Sequence, residues 1–319
     1  MTDRKTIAVK RTVRAVIFVI VLAALLHGIY YLVRPASAVR MSRTRSYESA
    51  RVFDEKPDSL DVIFLGHSGV YSSVSPMELY KEYGFTSYVC AQPLQLPWES
   101  SRWLESLVRV QSPRLVVFEV DHLFYDKNST VAANSVEYFI NRTFPVFRSH
   151  ANWKKWFSRG KKRERSFAKG FYYNTTVNPY RGGKKLTPTD KVYKIGKKHM
   201  DALERVYALC KENNIELMLL EVPSVVVWDY SRHNAVVKYA EKRGLEFIDL
   251  NLRLDELGFD WSTDTRDKGD HLNYSGALKV SGYVGRHIKK TYGLEDRRND
   301  PAYESWKEDL ARYEQMTGG

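Results

Sequence analysis

The stretch DVIFLGHSGVY, from Asp61 to Tyr71, decides how this chain begins to fold. Its apolar run, rich in branched and aromatic residues, ends at Gly66, which indicates a buried strand followed by a tight turn. Ser68 lies in that turn between Gly66 and Gly69, where a nucleophile at the end of a strand would be exposed. A serine in such a turn also serves simply as a turn former or a helix cap. The stretch therefore predicts a strand, and it makes Ser68 a candidate nucleophile.

A second stretch much later in the chain, DKGDHLNYSGA from Asp267 to Ala277, supplies a histidine and two carboxyl groups. His271 directly follows Asp270, lies four residues after Asp267 and precedes a helical pattern. Serine, histidine and aspartate can form a catalytic triad, in which the histidine is the base and the carboxylate orients it. Both Asp267 and Asp270 are candidates for that carboxylate.

Other apolar runs rich in branched residues alternate with helical patterns, which is typical of parallel strands covered by helices on both faces. We therefore predict an α/β fold, a three-layer α/β/α sandwich with a mainly parallel sheet. Ligands bind beyond the carboxyl ends of such strands, where Ser68 follows the first one. The four predicted strands span 61–66, 114–120, 215–222 and 245–250. The predicted helices span 76–83, 99–110, 190–213, 234–243, 276–292 and 301–316.

The strand with its G-x-S turn and the late Asp-His pair before a helix resemble the SGNH/GDSL hydrolase superfamily. The GHS at 66–68 stands where that family has GDS, and the resemblance extends over roughly residues 61 to 290. It implies a Ser68 nucleophile, a His271 base and an ester substrate, without a cofactor. The run DHLNYSGA and its helix are similar to members that accompany membrane-bound O-acyltransferases in modifying bacterial surface polymers.

The resemblance also implies an oxyanion hole, which the family builds with a glycine and an asparagine from two middle blocks. In the second block Glu119 or Asp121 stands in place of the asparagine. Loss of one oxyanion donor costs on the order of 10²- to 10³-fold in rate, so a site without these donors would be slow, differently built or inert. The candidates for oxyanion stabilisation or substrate binding are Gly66, His67, Gly69, Gln92, Gln95 and Asp121.

The uncharged run from Ala15 to Val33 is long enough to cross the apolar core of a membrane. Basic residues before it favour a cytoplasmic N-terminus, although several arginines also follow it. The competing interpretation is a cleaved signal peptide, because residues 36–38 have a small-x-small pattern. Both interpretations place the remaining chain outside the cell membrane of a bacterium. We expect five segments: a cytoplasmic tail (1–14), a transmembrane helix (15–33), a linker (34–55), a catalytic domain (56–293) and a charged helical segment (294–319).

The chain has a formal net charge of +12, and much of the excess lies in a long connection at 123–190. Because simple connections are shorter, we expect a lid or an insertion there. Its basic stretch at 152–170 is either a solvated face or a surface that attracts anionic lipid headgroups or an anionic polymer. The membrane span and the lack of a nucleic-acid-binding motif argue against nucleic acid as a partner. Cys90 and Cys210 indicate buried thiols without a disulfide framework.

These features predict a membrane-anchored, extracytoplasmic, serine-dependent O-acyltransferase that modifies a surface polysaccharide or a teichoic-acid-like polymer. Its partners would be that polymer, membrane lipid and a membrane-bound O-acyltransferase, the last on resemblance alone. The alternatives are an esterase or deacetylase of surface glycans, and an inert glycan-binding or scaffold protein. We expect no metal ion, because a catalytic zinc site needs three converging ligands with an open position and no motif of that kind accompanies His271.

Overall fold

The computed structural model describes residues 2–33, 47–125, 136, 166–182 and 186–318. Helix α1 (Thr2–Val33) belongs to the first of two compact units of the chain, and it is longer than the uncharged run that predicted it. Its segment Ile7–Tyr30 is apolar enough to cross a membrane, with a mean hydropathy of 2.3, and its apolar side chains are exposed. This observation agrees weakly with a membrane anchor, since a signal sequence has the same character.

The sheet of the second unit has five parallel strands: β1 (Val62–Gly66), β2 (Ser87–Ala91), β3 (Leu115–Glu119), β4 (Glu216–Glu221) and β5 (Glu246–Asp249). Their order across the sheet is β2-β1-β3-β4-β5, which confirms the predicted fold class. Because β2 lies on one side of β1 and β3 on the other, a crevice opens between the carboxyl ends of β1 and β3. All four predicted strands form. The additional strand, β2, has small and polar residues that weaken its apolar pattern, but it is buried against β1.

Helices cover the sheet in two layers, with the long helix before the C-terminal segment packed on two short helices that follow β1. The first helix after β1 begins directly at Ser68, and the second begins at Pro76, where Ser75 caps it. Besides the four-residue helices, the helices of this unit are α2 (Ser68–Ser73), α3 (Pro76–Tyr83), α4 (Pro97–Leu107), α5 (Lys197–Glu212), α6 (Tyr230–Arg243), α7 (Tyr274–Tyr292) and α8 (Glu304–Thr317).

Several predicted helices begin at other residues than expected. Helix α6 begins at Tyr230, four residues early, because the Asp229 side chain caps it. Helices α4 and α5 differ as well. Helix α4 begins at Pro97, two residues early, since proline is favoured in the first turn and Glu99 accepts the backbone N–H of Leu96. Helix α5 begins only at Lys197 because Gly196 is extended, so the residues from Asp190 to Gly196 are not helical. These differences arise from local chemistry at the helix start.

Residues 47 to 55, expected to be linker, belong to the folded unit. A helical turn (Tyr47–Ala50) and a 3₁₀ turn (Arg51–Asp54) form there, and Val52 and Phe53 are buried. The Phe53 ring stacks on Trp103 of α4 with centroids 5.8 Å apart. Burial of these apolar side chains therefore extends the domain toward the N-terminus. The segment is too short for its sequence pattern to predict this.

Lys169 departs from the expected basic surface because its side chain is completely buried. Its ammonium donates to Glu55 Oε1 at 2.6 Å and to Asp309 Oδ2 at 2.7 Å, so two carboxylates compensate its charge. Asp309 lies on α8, and this contact shows that the charged C-terminal segment packs on the domain. Most of the basic stretch expected at 152–170, and much of the expected insertion, lie outside the described residues.

Candidate active site

The turn between β1 and α2 brings two chain segments unusually close. A Cβ atom on Gly66 would lie 2.4 Å from Glu119 Oε2 and 2.8 Å from Glu119 Cβ, so glycine is required at the end of β1. The same carboxylate oxygen accepts the backbone N–H of His67 at 2.9 Å. Ser68 then begins α2 with a partly exposed side chain at the carboxyl edge of the sheet.

The structure brings Ser68, His271 and Asp267 into one chain of hydrogen bonds. Ser68 Oγ lies 2.7 Å from His271 Nε2, and His271 Nδ1 lies 2.6 Å from Asp267 Oδ2. These contacts fit a ring that donates its Nδ1–H to the carboxylate and accepts the serine proton at Nε2. The geometry is that required of a nucleophile, a base and an orienting acid.

The loop that carries His271 folds back so that a carboxylate four residues earlier reaches the ring. Lys268 and Gly269 adopt left-handed backbone conformations with φ of 64° and 92°, which reverse the chain. The backbone N–H of Val225 donates to the Gly269 carbonyl at 3.0 Å and holds this turn. Asp267 Oδ1 also accepts the backbone N–H of His271 at 2.6 Å.

Asp270 lies beside the same ring but in poorer geometry. Its Oδ2 is 3.4 Å from His271 Nδ1, compared with 2.6 Å for Asp267 Oδ2. Burial raises the pKa of Asp270, and the neighbouring Asp267 raises it further, while His271 acts in the opposite direction. The two aspartates are thus distinguished by geometry, and Asp267 is the one that orients the histidine.

His67, which directly precedes the nucleophile, is buried against the end of β3. Its Nε2 lies 2.8 Å from Asp121 Oδ2, and the Gly69 N–H donates to its Nδ1 at 2.9 Å. Although burial disfavours the charged imidazole, Glu119 and then Asp121 outweigh it and raise the pKa of His67 to about 9. Asp121, one of the two residues that stand in place of the family's asparagine, therefore contacts His67. The sequence alone does not predict this contact.

Further buried titratable groups surround this pair. His122 Nδ1 lies 3.6 Å from Glu119 Oε2, and burial lowers the pKa of His122. Glu221, at the end of β4, is fully buried, and its two carboxyl oxygens make no hydrogen bond among the described residues. Burial first, then Asp121 and Glu119, raise the pKa of Glu221 well above its ordinary value. Burial makes a neutral Glu221 the favoured form, since an unpaired buried carboxylate is costly.

The two glutamines expected near the oxyanion use their amide donors elsewhere. Gln92 Nε2 donates to Glu99 Oε1 at 3.1 Å. Gln95 Nε2 donates to the Cys90 carbonyl at 3.2 Å and to Ser100 Oγ at 2.8 Å. Both residues are buried, and these bonds tie the start of α4 to β2. The structure therefore does not bring these donors to Ser68 as it brings His271.

Tyr71 and Arg266 also lie near the nucleophile, and neither was singled out from the sequence. Burial raises the pKa of Tyr71, while Arg266 and a contact with Ser68 oppose that change. Arg266 Nη1 donates to Ser72 Oγ on α2 at 2.9 Å and lies near the Leu272 carbonyl, so it fastens the histidine loop to the nucleophile helix. The adjacency of Arg266 to Asp267 and of Tyr71 to the GHS turn was the available signal.

Two clusters hold side chains that could ligate a metal ion. Each has its potential ligand atoms within 4.8 Å of one another. In both, a histidine already contacts a carboxylate at hydrogen-bond distance, 2.8 Å for His67 and Asp121 and 2.6 Å for His271 and Asp267. Histidine–carboxylate hydrogen bonds therefore account for these approaches. The clusters are His67, Glu119 and Asp121, and Asp267, Asp270 and His271.

No family model and no curated protein matches this sequence. Similar solved structures include a candidate acylhydrolase from Bacteroides fragilis NCTC 9343, with 14% identity and a TM-score of 0.41, over 79% of this chain and 98% of that one. A GDSL-like lipase from Bacteroides thetaiotaomicron VPI-5482 is 14% identical with a TM-score of 0.40, over 76% and 96% of the two chains. A gut microbial diltiazem-metabolizing enzyme is 16% identical with a TM-score of 0.29, over 75% of this chain and 48% of that one. These are likenesses of fold.

Proposed function

We propose that this protein is a membrane-anchored serine enzyme that transfers an acyl group from an ester through an acyl-Ser68 intermediate. The observation that carries the proposal is the chain of hydrogen bonds from Ser68 Oγ through His271 to Asp267, at 2.7 and 2.6 Å. A binding or scaffold protein has no need of a partly exposed serine held at a strand end by such a pair. The alternative of an inert protein therefore has less support.

In the proposed reaction, His271 Nε2 removes the proton of Ser68 as its oxygen attacks the ester carbonyl. Asp267 keeps the Nδ1–H of His271 in place and stabilises the imidazolium that forms. The imidazolium then protonates the departing alkoxide, which leaves an acyl-serine. Water or a sugar hydroxyl then attacks the acyl-serine as His271 Nε2 takes its proton. His271 returns this proton to Ser68 Oγ as the bond between the acyl group and the serine breaks.

A sugar hydroxyl is our preferred acceptor, which makes the enzyme an O-acyltransferase of a surface polysaccharide or a teichoic-acid-like polymer. Two observations support this choice. Helix α1 has the character of an anchor, which would keep the site near a surface polymer. In addition, a cavity of about 280 Å³ borders the histidine loop, since Tyr180 and Val225 line it and would contact a side chain on Gly269. Aromatic rings such as those of Tyr180 and Trp261 in this cavity suit the apolar face of a sugar.

The test is covalent labelling of the full chain in detergent with an activated acetyl ester, followed by intact mass and peptide mapping. We expect an acetyl adduct on Ser68 that is lost in Ser68→Ala and retained in Ser112→Ala. Ser112 is a matched control, because it is exposed before the amino end of β3. A folded protein that never acquires the adduct contradicts the proposal.

The acceptor is tested by adding a soluble glycan to the same reaction. Faster loss of the adduct, with acetyl appearing on the glycan, supports the acyltransferase. Turnover that depends on water alone, at a rate the glycan does not change, identifies an esterase or deacetylase instead. The predicted partners, a membrane-bound O-acyltransferase that supplies the acyl group and membrane lipid, are proposed only if the protein is an acyltransferase.

A further inference from the structure

The hydrogen bonds of His67 define which form of the ring the structure holds. Nδ1 accepts the Gly69 N–H at 2.9 Å, so Nδ1 carries a lone pair and no proton. Nε2 must then carry the proton and donate it to Asp121 Oδ2 at 2.8 Å. The observed arrangement is therefore that of a neutral His67, whose ring caps the start of α2.

The surroundings of the ring favour a second proton. Glu119 and Asp121 face it from the end of β3, and Asp270 acts on it from the histidine loop. Glu119 Oε1 lies 3.4 Å from His67 Nδ1 and accepts no hydrogen bond from the described residues, although Glu119 is fully buried. A proton on Nδ1 would therefore meet an oxygen that lacks a donor, and the pKa of about 9 agrees with this geometry.

The remaining neighbours do not oppose that proton strongly. The rings of His122 and Tyr125 lie 5.9 and 5.4 Å from the His67 ring, measured between centroids. Burial lowers the pKa of His122, which leaves it uncharged, and burial raises the pKa of Tyr125, which keeps its hydroxyl protonated. Glu221 lies among the same carboxyl groups and is held neutral by burial. The charge that acts on His67 is thus mainly negative.

A proton on Nδ1 would change the bonding of the nucleophile turn. Two N–H groups cannot share one hydrogen bond, so a protonated Nδ1 no longer accepts from Gly69. The Gly69 N–H belongs to the first turn of α2, where backbone donors have no partner within the helix. It is also one residue after Ser68, which is a favourable place for a donor to the oxyanion of an acyl-transfer reaction.

We propose that His67 is a proton-dependent positioning residue that decides whether the Gly69 N–H caps the turn or stabilises the oxyanion formed at Ser68. The inference deepens the proposed function and rests on it. In the neutral state His67 Nδ1 occupies the Gly69 donor. In the protonated state Nδ1–H donates to Glu119 Oε1 while Nε2–H keeps its bond to Asp121, and the Gly69 donor is released. The protonated state is the active one.

The activity should be lost on the alkaline side. The protonated, active form predominates below the pKa of His67 and is lost as the pH rises through about 9. We expect kcat for an activated ester to fall by about tenfold per pH unit above that value, with little change in KM, because the lost donor serves the transition state. The measurement uses the full chain in detergent, with ester hydrolysis in buffer alone subtracted at each pH.

His67→Asn is the first test variant, because its side-chain oxygen can accept the Gly69 N–H at every pH but cannot be protonated. We expect kcat below pH 9 to be lower by on the order of 10²- to 10³-fold, and the alkaline fall to disappear. A passive cap predicts the opposite result, since asparagine is a good capping residue. Wild-type turnover with an unchanged alkaline fall in His67→Asn overturns the inference.

Asp121→Asn is the second variant, and it leaves His67 in place. The amide oxygen still accepts from His67 Nε2, but the negative charge that favours the proton is gone. The alkaline fall should therefore move to lower pH. An alkaline fall that stays at its wild-type position contradicts the assignment of this fall to His67.

A spectroscopic measurement separates this inference from the proposed function. In Ser68→Ala, which cannot form the acyl-enzyme, the ¹⁵N resonances of His67 should titrate and the Gly69 amide proton should shift with the same midpoint. A Gly69 amide resonance that stays fixed across this range overturns the inference even if the wild type is an active enzyme. Failure to acylate Ser68 in the wild type, with both resonances titrating, instead defeats the proposed function alone.

Discussion

At the scale of single residues, two aspartates that the sequence leaves equivalent differ by less than one ångström in their distance to His271 Nδ1. Asp267 reaches His271 Nδ1 at 2.6 Å and also accepts the His271 backbone N–H, whereas Asp270 stops at 3.4 Å. A hydrogen bond weakens rapidly beyond its ordinary length, so only Asp267 can fix the tautomer of the ring. The identity of the acid is therefore decided by the backbone of the loop.

This difference leads to a prediction with a matched pair of variants. Asp267→Asn should lower kcat by on the order of 10⁴-fold, because an amide no longer enforces the productive tautomer. Asp270→Asn, which changes the same chemistry one residue from His271, should lower kcat by less than about tenfold. Steady-state hydrolysis of an activated ester measures both effects. Equal losses in the two variants would contradict the assignment of Asp267.

At the scale of secondary-structure elements, one buried lysine joins the two ends of the domain. Lys169 connects Glu55, just after the N-terminal 3₁₀ turn, with Asp309 on α8, and its ammonium lies 4.4 Å from the Trp306 ring centroid. The Lys169 carbonyl accepts the Val89 N–H, so the same segment lies along β2. A buried charge therefore contributes to the docking of α8, together with the buried side chains of Trp306 and Tyr313.

Lys169→Met keeps the length and apolar stem of the side chain but removes its charge. Glu55 and Asp309 would remain buried without the charge of Lys169, which should lower the free energy of unfolding by about 3–5 kcal/mol. Denaturant unfolding of the full chain in detergent measures the change. Lys307→Met is the control, because that lysine pairs with Glu304 at the surface and should contribute less than about 1 kcal/mol. Similar losses in both variants would rule out the proposed role of the buried charge.

At the scale of the whole molecule, a long apolar helix and a separate α/β domain occupy the same chain. The helix is exposed along Ile7–Tyr30, with Ile17 54% and Phe18 66% accessible. An exposed apolar helix of this length is not stable in water by itself, and a bilayer satisfies both its side chains and its backbone. Membrane anchoring is therefore the arrangement that we propose for this helix.

The anchor is tested by expressing the full chain in bacteria and extracting membranes with alkaline carbonate. We expect the protein to remain in the pellet with an intact N-terminus. A Leu22→Lys and Leu25→Lys double variant should be released, because each lysine near the centre of the span costs about 2.5–3.5 kcal/mol. Thr12→Lys, before the uncharged run, is the control and should stay in the pellet. A mature chain that starts after residue 38 would establish a cleaved signal peptide instead.

Local patterns of the sequence determined the elements of this protein. Apolar runs such as VIFLG predict strands because backbone geometry and burial act over a few residues, and Ser68 and His271 stand in turns that such patterns delimit. Strand β2, which contains Cys90, is not one of the four predicted apolar runs, because its burial comes from pairing with β1 and not from an apolar pattern of its own. The predicted start of α5 was too early, because the backbone of Gly196 is extended and the helix begins only after it.

Only the tertiary structure decided which side chains meet. The choice of Asp267, the approach of Glu119 to Gly66, the bond between His67 and Asp121 and the burial of Lys169 all join residues whose contacts no local pattern encodes. The physical reason is that the range of a hydrogen bond or an ion pair is a few ångströms in space, whatever the separation along the chain. Sequence periodicity reports burial, but it does not report which buried partner compensates a charge.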